Sequence, residues 1–364
     1  MLYSTARWLL EHMDPVRANR VMINNLEWYT TLEMHKDVSR VPDEDPVTVM
    51  GVRFPNAVGL AAGLDRNGAQ VSSFGAFGFG FVEIGTVTSK AQAFTSAHPI
   101  VRLDGGASIA HATEFENDGC EAALKVLKSA DAFHLRGGVT GVSIGASANQ
   151  TPDAVAGDLA SLLAALYHRA DYFTLNLFCS TPKDPGAILR DAKFLEATLR
   201  TLVEERNRQS ELPAHAHLAR RPLVAKLPAF LTDDDMKRAA DVCAAAGIDG
   251  IAAGGPLLAD AKGVVIDSWA NAQELPASLS FCLLSGAAVR ERSTQAVARL
   301  SRHLEGALPL IASGGVLRAE DAKEKIEAGA SLVQILTGFL KNGPAFVADC
   351  VDAAAEARHA AAGV

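Results

Sequence analysis

The chain has 364 residues, 49% of them hydrophobic and 21% charged, which excludes a disordered or fibrous protein. Lys and Arg number 34 against 42 Asp and Glu, a net charge of −8 with no basic cluster, which argues against nucleic acid as a partner. The length admits two domains of about 150 residues, or one barrel-sized domain with an appendage.

Residues 1–45 carry two short amphipathic patterns: Leu2, Ala6, Leu9 and Leu10, then Val21, Met22, Leu26 and Trp28. They predict a small N-terminal helical segment. Glu11, His12 and Asp14 interrupt the first apolar run, so a signal peptide is not expected. No stretch approaches the ~20 apolar residues that span a bilayer, so the expectation is a protein in solution or on a membrane surface. Residues 46–364 read as one larger unit. From residue 56 onward, eight apolar runs alternate with helical patterns: Asn56–Gly63, Phe81–Val87, Gly141–Ser147, Tyr172–Cys179, Leu223–Ala229, Ile248–Gly255, Leu308–Gly315 and Leu332–Gly338. Asp158–Arg169 and Asp321–Gly329 show the helical spacing between them. Eight strand–helix units, with strands apolar on both faces, predict a (β/α)8 barrel. Gly254–Leu283 is too long for an ordinary connection and reads as a functional lid or a disordered excursion.

Five cysteines, Cys120, Cys179, Cys243, Cys282 and Cys350, form no C-x-x-C pair. No zinc ribbon is predicted. Wide spacing and an odd count suggest free thiols in a reducing, cytoplasmic compartment.

Barrel enzymes place their chemistry at the C-terminal strand ends. The first end offers Ala61, Ala62 and Gly63, then Asp65 and Arg66; the second offers Glu83, Gly85 and Thr86. Small residues admit a flat ligand against the backbone, or simply make a tight turn. The fourth end offers Asn176 and Cys179, the latter either a base or nucleophile at the mouth or an apolar filler. Lys226, flanked by Val224, Ala225 and Leu227, is costly inside a barrel without an anionic or hydrogen-bonding partner. The last two ends carry Ser313-Gly314-Gly315 and Thr337-Gly338, where barrels often bind phosphate. Together these ends describe a phosphorylated planar cofactor across the mouth. FMN fits better than NAD, since no strand is followed by G-x-G-x-x-G.

Asn56–Thr88 (NAVGLAAGLDRNGAQVSSFGAFGFGFVEIGTVT) resembles the dihydroorotate dehydrogenases, especially their quinone-using, membrane-associated class 2. Ala319–Thr337 resembles their C-terminal phosphate region, and the opening LYSTARWLLEHMDPVRANR their N-terminal helices. The resemblance implies a barrel holding FMN, a small-molecule substrate, a quinone as acceptor and contact with a membrane surface. It assigns cofactor contacts to Ala61, Ala62, Gly63, Thr86, Asn176, Lys226, Ser285, Gly286, Gly314, Gly315, Thr337 and Gly338. Ser143 stands where the family has Asn.

The substrate side departs from the family. Arg66 replaces Lys in D-K-N-G, and N-R-Y-G-F-N has become His111-Ala112-Thr113-Glu114-Phe115-Glu116. Thr181 replaces the second Asn after the fourth strand, and Gly254-Gly255-Pro256 replaces T-N-T. Each lost amide partner leaves a polar ligand atom unpaired, at about 1–3 kcal/mol. Class 2 members carry Ser at the base position and the soluble class Cys; this chain has Cys179. The expected function is FMN-dependent dehydrogenation of a small cyclic or amide substrate other than dihydroorotate. Cys179 would be the base and Lys226, beside the flavin ring, the second catalytic residue, and Arg66, His111, Asn176 and Thr181 would line the substrate. The alternatives are a quinone-linked dihydroorotate dehydrogenase and a catalytically silent FMN-binding scaffold.

Overall fold

The computed structural model describes residues 2–147, 150, 152–178, 185–260, 279 and 281–363. Two helices open the chain, α1 (Leu2–His12) and α2 (Pro15–Thr31). Asp14 caps α2 by accepting from the Arg17 backbone, and Pro15 occupies the first helical turn, where its missing N–H costs nothing. A hairpin follows, β1 (Val47–Val49) with β2 (Val52–Phe54).

The remaining strands are β3 (Val58–Leu60), β4 (Phe81–Val87), β5 (Ile100–Leu103), β6 (Ser108–His111), β7 (Val139–Gly145), β8 (Tyr172–Asn176) and β9 (Leu223–Leu227). After them come β10 (Gly250–Ala253), β11 (Leu257–Asp260), β12 (Phe281–Gly286), β13 (Leu310–Ser313) and β14 (Leu332–Ile335). Strands β3, β4, β7, β8, β9, β10, β13 and β14 close in that order into a parallel barrel, β14 pairing back onto β3. All eight expected runs are therefore barrel strands, although β7 starts at Val139, two residues before its run. The two expected helices also form, as Pro152–Leu166 and Ala319–Glu327.

The end of the barrel away from the site is plugged by aromatics. Phe54, Phe81 and Tyr172 are buried with ring centroids 5.3–6.4 Å apart. Gly59 makes room for Phe81: a Cβ there would lie 2.3 Å from its ring.

Two features were not expected. One is the β1–β2 hairpin. The other is a four-stranded antiparallel sheet, ordered β11-β12-β6-β5, over the mouth of the barrel. It corrects part of the expectation for Gly254–Leu283, which supplies β11 and the start of β12 rather than being a lid or excursion throughout; residues 261–278 lie outside the described residues. Arg102 on β5 donates to the carbonyls of Leu10 and Met13, at 3.1 and 2.8 Å. A cation on the last carbonyls of α1 satisfies groups that have no partner within the helix and joins the helices to this sheet.

Candidate active site

A cavity of about 950 Å³ extends from the C-terminal strand ends, under the β11-β12-β6-β5 sheet, to the space between α1 and α2. Its walls include Ala61, Ala62, Gly63, Arg66, Thr86, His111, Asn176, Lys226, Ser285, Gly286, Gly314, Gly315 and Thr337. Thus most residues singled out in the sequence converge on one space. Ser143 lies just behind the wall, fully buried, with its hydroxyl 3.0 Å from Thr86 Oγ1. Gly338 also stands behind it and serves packing, because a Cβ there would lie 2.1 Å from the Val316 carbonyl oxygen. Cys179 and Thr181 lie outside the described residues.

The first strand end is tied by Asp65. Its buried carboxylate accepts from the backbones of Gly68, Ala69 and Gln70 at 2.8–3.0 Å. Burial outweighs these bonds and raises its pKa to about 6. The knot fixes the Gly63–Gly68 loop that presents Arg66. Asn176, at the end of β8, donates to Thr86 Oγ1 at 2.9 Å, while its Oδ1 is buried with no partner among the described residues. Lys226, at the end of β9, is buried, with Nζ 5.9 Å from the centroid of the Phe178 ring.

On the opposite side, Ser285 Oγ and Thr337 Oγ1 lie 3.1 Å apart beside the Gly314-Gly315 turn. Gly315 has φ +77°, and a Cβ there would sit 2.2 Å from Arg290 Cα, so only glycine lets the turn pass the start of the helix Arg290–Leu304. Behind the turn, Lys325 Nζ donates to Ser293 Oγ at 2.6 Å, and Ser293 donates to the Ser313 carbonyl at 2.9 Å. Burial pulls Lys325 down to about 7.

These features fit a flavin mononucleotide. Hydroxyls and a glycine turn suit a phosphate, Lys226 supplies a cation, and the unpartnered Asn176 Oδ1 suits a ring N–H.

His111 ends β6, not a barrel strand, and reaches the cavity from the sheet above. Its Nδ1 lies 2.9 Å from the Ala112 carbonyl, and burial, with Arg66 and Lys226 nearby, pulls its pKa down to about 4. The ring is neutral near pH 7. Nδ1 carries the proton to Ala112, and Nε2 is an acceptor. Arg66 donates through Nε to the Gly63 carbonyl at 3.1 Å, pairs with the Glu116 carboxylate and lies 5.1 Å over the Phe94 ring.

Sequence reading missed Phe94, Phe178 and Gln334 in the wall. Gln334 donates to Glu83 Oε2 at 2.9 Å, and the same oxygen accepts from Tyr172 and Thr174 inside the barrel. A polar residue within the apolar run of β14 was the one signal for Gln334.

Residues 46–356 match the family model described as dihydroorotate dehydrogenase. The chain belongs to the dihydroorotate dehydrogenase family. Members of this family are oxidoreductases acting on CH–CH bonds. A dihydroorotate dehydrogenase (quinone) of Marinomonas sp. (strain MWYL1) is 37% identical over 355 residues, covering 96% of each chain. One from Pseudomonas syringae pv. syringae is 37% identical over 99% of this chain and all of its own. The solved DHODH of Eimeria tenella in complex with ferulenol matches with a TM-score of 0.79 at 26% identity, over 93% of this chain and 90% of that one. The family likeness therefore extends through α1 and α2 as well as the barrel.

Proposed function

We propose that the protein oxidises dihydroorotate with FMN and passes the electrons to a quinone. The observation that carries this reading is the single cavity joining the barrel mouth to the α1–α2 gap, in a chain similar over its whole length to quinone-linked enzymes. The comparisons support dihydroorotate as substrate better than the changed substrate expected from the sequence. Ser285, Gly314, Gly315 and Thr337 would hold the cofactor phosphate. Ala61–Gly63, Thr86, Asn176 and Lys226 would surround its ring. Cys179 would take the proton from one substrate carbon, and the flavin, when bound, would supply the acceptor for hydride from the neighbouring carbon, so that two C–H bonds are lost and one C=C bond is gained. Asn176 orients the ring through its free acceptor, and Lys226 offsets negative charge. The Leu10, Met22 and Leu26 side chains would line the acceptor's approach from the helices.

Anaerobic addition of dihydroorotate should bleach the flavin, and a short-chain quinone should restore its colour. Protein that cannot take up FMN would overturn the reading. A second reading keeps the chemistry and changes the ring. It is favoured by Arg66 being already paired with Glu116, and by His111 and Gly255 standing where the family offers amide or hydroxyl partners. FMN uptake without bleaching by dihydroorotate would select it.

A further inference from the structure

A ring substrate bearing a carboxylate needs a cation in the pocket, and Arg66 stands on the substrate side of this one. Its guanidinium is not open to the cavity alone. Nη1 engages the Glu116 carboxylate, Nε is spent on Gly63, and the planar group rests over Phe94. Arg66 and Glu116 both line the cavity and are largely shielded from solvent, with side chains 16% and 29% exposed. The loop carrying Glu116 is held in place independently. Asn67 and Asp118 exchange two hydrogen bonds, of 2.7 and 2.9 Å. Asn117 caps the same loop, accepting from Thr88 and Gly119 and donating to Thr88. The carboxylate is therefore delivered to Arg66 by the fold.

We infer that Glu116 is a specificity-determining residue: a built-in carboxylate that occupies Arg66 and competes with the carboxylate of an incoming ring. The inference rests on the reading that this cavity is the substrate pocket, and it refines which rings the pocket accepts. A substrate carboxylate must displace Glu116 or share the guanidinium with it, and in either case lies beside its negative charge. The same ring without its carboxylate meets neither obstacle. Neutral His111 adds an acceptor and no second cation. Glu116 thus weakens the pull on a ring carboxylate relative to a pocket with a free Arg66, and narrows the advantage of anionic rings such as dihydroorotate over uncharged cyclic amides, by a repulsive element as much as by lost attraction. Glu114 is the natural control. It carries the same charge three residues from His111, but it accepts from Thr95 Oγ1 and is not paired with Arg66.

The test is calorimetric titration of the FMN-loaded protein with orotate and with uracil, which differ by the carboxylate. If Arg66 is paired with Glu116 in about nine molecules in ten, freeing it should tighten apparent orotate binding about 10-fold. Glu116→Gln should show that gain, with uracil affinity unchanged. Glu116→Asn, which restores the family's residue, should move selectivity the same way and serves if the Gln variant does not fold. Glu114→Gln should leave the orotate-to-uracil ratio as in the parent. An unchanged ratio in both Glu116 variants, an equal gain in Glu114→Gln, or no orotate binding by any variant would overturn the inference. Binding needs no turnover. Orotate binding without bleaching by dihydroorotate therefore fails the proposed reaction while still deciding the role of Glu116.

Discussion

Cys179 bears most of the proposed chemistry, and its substitution has a defined signature. A thiol with an ordinary pKa of about 8.5 is an easier base near neutrality than a serine hydroxyl. Cys179→Ala should keep FMN and slow flavin reduction by about two to four orders of magnitude. Stopped-flow bleaching measures this, and an unchanged rate would move the base elsewhere. Individual site residues differed in how openly the sequence displayed them. Lys226 was legible because a lysine between apolar neighbours at a strand end can satisfy its charge only at the mouth. Asn176 was legible for the same reason of position. The pairing of Glu116 with Arg66 was not. It joins two loops 50 residues apart, and no local pattern in either loop announces the other.

At the scale of elements, the Gly314-Gly315 turn is one of the most exacting parts of the site, with Gly286 held as tightly. Gly315→Ala would force a methyl group into the Arg290 backbone at a positive φ. Such strain costs about 1–3 kcal/mol before the clash is counted. The variant should melt lower and lose FMN on gel filtration, with partial recovery when FMN is added in excess. Retention of FMN at parental affinity would show that the turn does not bear on the phosphate. The barrel strands were readable because parallel strands buried on both faces leave continuous apolar runs. The sheet over the mouth left no such mark. β5 and β6 are four residues each, and their part-exposed pattern resembles an ordinary loop.

Taken as a whole, the molecule presents an apolar surface where α1 and α2 meet solvent. Trp8 is 58% and Trp28 60% exposed, with Leu9 and Leu32 similarly open. No helix among the described residues is long and apolar enough to cross a membrane. Exposed tryptophans on short amphipathic helices suit the interface of a lipid surface, where apolar rings reach the acyl boundary. Trp8→Gln with Trp28→Gln should therefore reduce co-sedimentation with lipid vesicles. Both side chains point outward, so the melting temperature and the reduction of a water-soluble quinone should stay at parental values. Equal vesicle binding by parent and variant would make the helices a cap on the barrel and nothing more. The amphipathic spacing of Leu9, Leu10, Val21 and Trp28 was readable in the sequence. Which of these faces the cavity depends on the Arg102 anchor, which only the fold supplies.

The sheet over the mouth also dictates an order of events during synthesis. β6 pairs with β5 soon after both are made, yet its other edge waits for β12, with His111 opposite Leu283. By then β3, β4, β7, β8, β9 and β10 have all been made, and β13 and β14 have not. Closing so long a stretch of chain carries an entropic cost that only late contacts repay. Six of the eight barrel strands thus precede the roof strand β12 in the chain, and the last two follow it. Until β12 is made, one edge of β6 has no strand to pair with, an exposed edge of the kind that chaperones protect.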